Sequence, residues 1–210
     1  MPEAELVYVG DPMCFWCWGF APAFRRAREE FGGRLSFRIL LGGLYPGVTA
    51  RRLDPAYKEE LADAWPRVAQ ATGQAFHPGI LERRDFLWDT EPACRSVVAA
   101  RQLAPAGVFE YHEALQRAFF RDNRDPTETG TFVAVAQTLG LDAAAFERKF
   151  HSIQARKETL ADFQLAQSLG VEGFPCLLLG LEGESETLAQ GCLPYEELKS
   201  NLEMMLNKAS

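Results

Sequence analysis

No apolar stretch of this chain approaches the ~18–20 residues that a helix needs to cross a bilayer. Its opening, "MPEAELVYVG", carries neither the basic start nor the apolar core of a secretion signal. No membrane partner is expected, and the expected compartment is the cytoplasm. Basic runs are equally scarce. The chain has 22 Lys and Arg against 29 Asp and Glu, a net charge of −7, and no basic run longer than a pair such as Arg25-Arg26. Such a surface does not track phosphates, so nucleic acid is not an expected partner. Histidine is sparse too: His77, His112 and His151 stand apart, and none forms a ligand pair with a neighbour. Internal repeats and low-complexity segments are missing. What remains is a chain of 210 residues, long enough to bury a sizeable core without disulfide staples.

Residues 5–9, "ELVYV", form a short β-prone run that ends at Gly10-Asp11-Pro12, which reads as a buried strand running into a turn. A helix follows, with apolar residues at Trp18, Ala21, Phe24, Ala27 and Phe31 and a stop at Gly32-Gly33. "LSFRILLGGL" supplies a second strand. From about Leu53 to Leu169 there are several helical patterns and no convincing strand. Helices are expected over Asp54–Ala71, Pro92–Leu103, Phe109–Arg121, Thr129–Leu139 and Asp142–Leu169, the last one broken. Thr90 is placed to cap the helix that carries Glu91 and Pro92 in its first turn. After Gly170, "FPCLLLG" and "ETLAQG" read as two strands joined by a turn around Glu182-Gly183-Glu184, and Pro194 opens a final amphipathic helix.

The order β-α-β, helical block, β-β-α predicts an α/β protein with one small mixed four-stranded sheet, its halves at the two ends of the chain. That is the thioredoxin-like arrangement with a large all-helical insertion. The expected division is a discontinuous domain of residues 1–50 and 165–210 and an insertion of residues 51–164. Two domains in series would leave each half-sheet unable to bury a core alone.

Within "GDPMCFWCWGF", Cys14 falls at the N-terminus of the first helix and Cys17 one turn inside it. Free backbone amides and the helix dipole at that end favour a thiolate over a thiol at Cys14. An exposed first cysteine can attack a disulfide while the sheltered second resolves the mixed disulfide. In a reducing compartment a C-x-x-C beside β-α-β reads as a redox motif or as part of a metal site. Zinc wants four ligands, and Cys94, Cys176 and Cys192 are scattered singly, so no metal is expected. The remaining reading is two buried thiols acting as small core residues. Phe15 and Trp16 in the first turn suggest an apolar docking surface, whereas Trp18 and Phe20 have core spacing. Pro175, at the start of a predicted strand, sits where proline costs no ladder bond and where a cis bond would be a deliberate feature.

Taken together, "DPMCFWCWGF", the helical block, "GVEGFP" and the closing helix resemble the DsbA-like members of the thioredoxin superfamily, in the cytosolic branch that includes FrnE-type oxidoreductases. The resemblance covers the full length. It implies that Cys14 is the nucleophile, Cys17 the resolving thiol, Pro175 a cis-proline facing the couple, and Phe174 the variable residue before it. The dipeptide Phe15-Trp16 departs from the Pro-His of the family's periplasmic oxidant, so strongly oxidising character is not implied. Cys176 directly after Pro175 is unusual, and reads either as a small core residue or as a second resolving thiol.

"WDTEPACR", Trp88 to Arg95, resembles a stretch near the active centre of kappa-class glutathione transferases and hydroxychromene-carboxylate isomerases, with Asp89 in place of Asn. That makes Asp89 and Thr90 candidate substrate contacts; as bare chemistry the stretch is a helix N-cap. The leading expectation is thus a thiol–disulfide oxidoreductase acting on protein or small-molecule thiols and disulfides. It needs no cofactor beyond its own redox-active disulfide, with glutathione a candidate co-substrate. A kappa-like glutathione-dependent isomerase or transferase and a non-enzymatic adaptor that presents a partner to a protease are the alternatives. Direction of electron flow, substrate and oligomeric state are not written in the motif.

Overall fold

The computed structural model of the protein describes residues 4–181 and 184–208. In chain order the elements are β1 (Ala4–Gly10), α1 (Phe15–Phe31), β2 (Leu35–Leu41), a two-residue β3 (Arg51–Arg52), α2 (Pro55–Thr72) and an equally short β4 (Leu87–Trp88). There follow α3 (Glu91–Leu103), α4 (Val108–Phe120), α5 (Thr129–Thr138), α6 (Ala143–Phe150) and α7 (Ile153–Ser168), then β5 (Cys176–Leu181), β6 (Glu184–Gln190) and α8 (Tyr195–Lys208). The turn expected around Glu182-Gly183-Glu184 falls on Glu182 and Gly183, which lie outside the described residues.

The main sheet is mixed, four-stranded and ordered β2-β1-β5-β6. β1 runs parallel to β2, from Ala4 opposite Leu35 to Gly10 opposite Leu41, and antiparallel to β5, with Val9 opposite Cys176. As the central strand next to a parallel neighbour it is covered on both faces, which is why "ELVYV" is apolar almost without alternation. Period-two geometry nevertheless sends successive side chains to opposite faces. Leu6 and Tyr8 join Phe20, Phe24, Ile39, Leu41 and Leu177 in the larger core under α1. Val7, Val9, Leu40, Cys176 and Leu178 pack with Ala166 of α7 on the other face.

Several helix ends follow from their own sequence. Asp54 accepts the Tyr57 amide at 2.8 Å to cap α2, and Gly73 closes that helix in the left-handed region, at φ 75°. The expected break in Asp142–Leu169 lies at His151-Ser152, where Ser152 caps α7 through the Ala155 amide. Asp162 of α7 then accepts Arg101 of α3 at 2.8 Å and the Leu41 amide at 3.2 Å, fastening both helices to the end of β2.

The segment read as free of strands is not so. β3 and β4 form an antiparallel ladder, Arg51 opposite Trp88 and Arg52 opposite Leu87. Two residues per strand are too few to show a period in the sequence.

Candidate active site

β1 delivers the chain into a turn built on Asp11, whose side chain is fully buried. One carboxylate oxygen accepts the Met13 amide at 2.8 Å; the other accepts the Leu44 amide at 2.7 Å and the Cys94 thiol at 3.4 Å. The Asp11 carbonyl accepts the Cys14 amide at 3.1 Å. One acid thus ties together the turn before α1, the loop after β2 and the start of α3. Burial raises the Asp11 carboxyl above its ordinary range, while the Leu44 and Met13 amides pull it back.

Cys14 occupies the N-cap of α1 with extended backbone, φ −83° and ψ 117°, and Cys17 sits one turn in with no exposed surface. The two cysteines are free thiols within hydrogen-bonding reach of each other. Burial first, and the neighbouring Cys14 second, push the Cys17 thiol well up from its usual value. Cys14 itself is only 4% exposed, not the open thiol that a helix start suggests. A partner 160 residues away covers it: its Sγ donates to the Phe174 carbonyl at 3.6 Å. Trp16, by contrast, is 41% exposed, and the half-buried Phe15 lies beside it at 5.6 Å between ring centroids. Trp18 and Phe20 are core residues.

The Phe174–Pro175 peptide is cis and Pro175 is buried. The Phe174 ring packs against Gly42, just past β2, so closely that a Cβ there would fall 1.9 Å from Cε1. Only glycine permits that approach. On the far side the Gly191 amide donates to the Pro175 carbonyl at 2.7 Å, just beyond the last β5–β6 pair, Cys176 opposite Gln190. Burial pushes the Cys192 thiol up to about 11, and Cys14 adds to that electrostatically. The extra thiol near Cys14 is therefore Cys192, while Cys176, adjacent to Pro175 in sequence, points to the opposite face and packs with Val7 and Val9. Strand alternation was the signal available for this distinction.

Asp89 and Thr90 clamp a loop. The Asp89 carboxylate accepts the amides of Gly47 at 2.8 Å and Glu91 at 3.0 Å. Thr90 has the N-cap position but makes no side-chain cap; its hydroxyl accepts the Tyr45 amide at 3.2 Å and its own amide donates to the Tyr45 carbonyl at 3.1 Å. Thr90 is fully buried. Three residues that the motif reading passed over belong to the site's support: Asp11, Cys94 and Tyr8, a buried phenol that interacts with the Cys17 thiol.

Among the described residues no three His, Cys, Asp or Glu side chains gather in a way that could hold a metal ion, and no helix is long and apolar enough to cross a membrane. The arrangement is a vicinal dithiol at a helix N-terminus, faced by a backbone carbonyl and a cis-proline. Residues 5–203 match the DSBA-like thioredoxin domain. A putative protein disulfide isomerase from Nitrosomonas europaea is 33% identical and superposes with a TM-score of 0.90 over 99% of this chain and 100% of its own. The cytosolic disulfide reductase DsbM from Pseudomonas aeruginosa, also solved with GSH, is 26% identical, with a TM-score of 0.82 over 98% of this chain and 100% of that one. The ClpXP adapter protein SpxH of Bacillus licheniformis is 25% identical over 173 residues, 82% of this chain and 56% of SpxH. The chain thus spans little more than half the length of that relative.

Proposed function

Because the chain belongs to the DsbA-like thioredoxin family, we propose that it is a cytoplasmic thiol–disulfide oxidoreductase working through the Cys14-Phe15-Trp16-Cys17 couple. The observation that carries the reading is the paired Cys14 and Cys17 thiols at the start of α1, with the Phe174 carbonyl 3.6 Å from Cys14 Sγ. The Cys14 sulfur stands at the N-cap of α1, beside the Phe174 carbonyl. That sulfur attacks one sulfur of a substrate disulfide; the S–S bond breaks, one thiolate leaves and takes a proton from solvent, and the other half stays bonded to Cys14. Cys17 then attacks Cys14 Sγ, the second substrate thiolate leaves, and a Cys14–Cys17 disulfide remains. Two equivalents of thiol, with glutathione the proposed donor, return the couple to its reduced form. The solved complex of DsbM with GSH supports that choice.

Substrate recognition falls to Trp16 and Phe15, an exposed apolar step beside the couple, and to the backbone of Phe174, against which an extended chain can lie. Pro175 shapes that edge. Asp89 and Thr90 act by holding the Tyr45–Gly47 loop. The test is covalent trapping: Cys17→Ser keeps the attacking thiol, so mixed disulfides on Cys14 accumulate on non-reducing gels, whereas Cys14→Ser accumulates none. A Cys17→Ser protein that traps neither protein nor glutathione contradicts the reading. The SpxH likeness supports a second reading, an adaptor; in that case the Cys14→Ser, Cys17→Ser double variant retains full function.

A further inference from the structure

The resolving step poses a physical problem. Cys17 has no exposed surface, yet it must lose its proton to attack Cys14. The polar side chain that interacts with it is the Tyr8 phenol, itself buried on β1 and lying along the end of its strand, where Gly10 leaves room: a Cβ there would stand 2.7 Å from the Tyr8 hydroxyl oxygen. Behind Tyr8 lies α4. The His112 ring meets the Tyr8 ring edge-on at 5.6 Å, and Gln116 stands one turn further along. Both are buried, and His112 Nε2 and both amide atoms of Gln116 have no hydrogen-bond partner among the described residues. These side chains, with Arg25 and Glu113 toward the surface, line a cavity with about 20 Å³ open to the centre of a water molecule, enough for one. Unpartnered polar atoms around such a space are costly unless something bonds to them.

We propose that Tyr8 serves the resolving half of the exchange: its hydroxyl accepts the proton of Cys17 while passing its own to a water in the His112–Gln116 cavity, from which a proton leaves past Arg25 and Glu113 to solvent, and it then stays hydrogen-bonded to the thiolate it has made. Electrons and protons balance. The Cys17 sulfur forms the bond to Cys14 Sγ, the bond from Cys14 to the substrate sulfur breaks, and the departing thiolate is protonated from solvent. The other groups facing Cys17 are the Cys14 thiol on its own helix and the Asp11 backbone in the turn; beyond Tyr8, His112 is kept neutral by burial, and Arg25 and Glu113 are ion-paired with each other.

This inference rests on the disulfide-exchange reading, and its first test needs no turnover. In a Cys14→Ser background, Cys17 ionisation is followed by thiolate ultraviolet absorbance with and without Tyr8→Phe. One hydrogen bond to a charged group is worth roughly ten- to a hundredfold, so the midpoint rises by about one to two pH units in Tyr8→Phe; an unchanged midpoint overturns the proposal. Second, a glutathione adduct made on Cys14 of the otherwise native protein is released at least about tenfold more slowly in Tyr8→Phe. Equal release overturns the proposal, whereas a native protein that never releases the adduct overturns the exchange reading itself. Should Tyr8→Phe not fold, the sulfhydryl stretching band of Cys17 in Cys14→Ser decides: a band at the frequency of a hydrogen-bonded thiol supports the contact, and one at the free-thiol frequency refutes it.

Discussion

Replacing Asp11 tests how the turn that presents Cys14 is held. Asp11→Ala removes the acceptors of the Met13 and Leu44 amides, bonded at 2.8 and 2.7 Å, and of the Cys94 thiol, all in a site without solvent exposure. Each orphaned buried amide costs about 1–3 kcal/mol, so the gross loss is about 2–6 kcal/mol. Removing a buried charge offsets part of this, which leaves a net destabilisation of about 1–4 kcal/mol. For a chain of this size that is a fall in melting temperature of about 2–4 °C per kcal/mol. The same residue gives stability a pH signature. Its folded-state carboxyl titrates above the ordinary carboxylate value, so the folded protein holds a proton that the unfolded chain has already released. Stability from this group is therefore full below the ordinary carboxylate range and is lost as pH rises through the raised folded value. Urea midpoints measured across the acid range for the native protein and Asp11→Ala should differ by a curve that declines with pH over that window. A variant within about 0.5 kcal/mol of the native protein at neutral pH, or a difference curve that climbs with pH, would refute the reasoning.

Gly42→Ala should displace the Phe174 ring, cost about 1–3 kcal/mol in urea unfolding through overpacking, and slow mixed-disulfide formation by moving the Phe174 carbonyl away from Cys14. Unchanged exchange kinetics in a destabilised Gly42→Ala would detach Phe174 from the chemistry. Cys176→Ala should leave the rate of exchange unaltered, since this thiol packs on the α7 face of the sheet; a slower variant would assign it a redox role. Cys14→Ser should fold normally despite the burial of Cys14, because the hydroxyl is smaller than the thiol it replaces and meets no clash, and near-ultraviolet circular dichroism checks this.

The parts of the molecule legible in the sequence are those set by local chemistry. Apolar runs punctuated by Gly and Pro marked β1, β2, β5 and β6, the three- and four-residue steps marked α1, and the Asp142–Leu169 pattern was expected to be broken, as it is between α6 and α7. C-x-x-C at the junction of β1 and α1 placed the couple. What stayed hidden depends on partners distant in sequence. Cys14 is covered by Phe174, and Thr90, a plausible cap, bonds instead to Tyr45. Cys192 reaches the site only through the pairing of β6 with β5. Tyr8 was visible as the single polar side chain after Glu5 in an otherwise apolar strand, a sign that its hydroxyl has a buried partner. Which partner, only the packing of α1 over β1 could tell.

The most direct test of the account is the redox equilibrium of the Cys14–Cys17 couple in glutathione buffers of graded composition, read by tryptophan fluorescence and by disulfide mapping, with insulin reduction followed in parallel. The account predicts one two-electron transition, a mapped Cys14–Cys17 disulfide at the oxidised end, and turnover of insulin disulfides that disappears in Cys14→Ser. A couple that stays dithiol across the whole series, or a folded Cys14→Ser protein that reduces insulin as well as the native one, would contradict it.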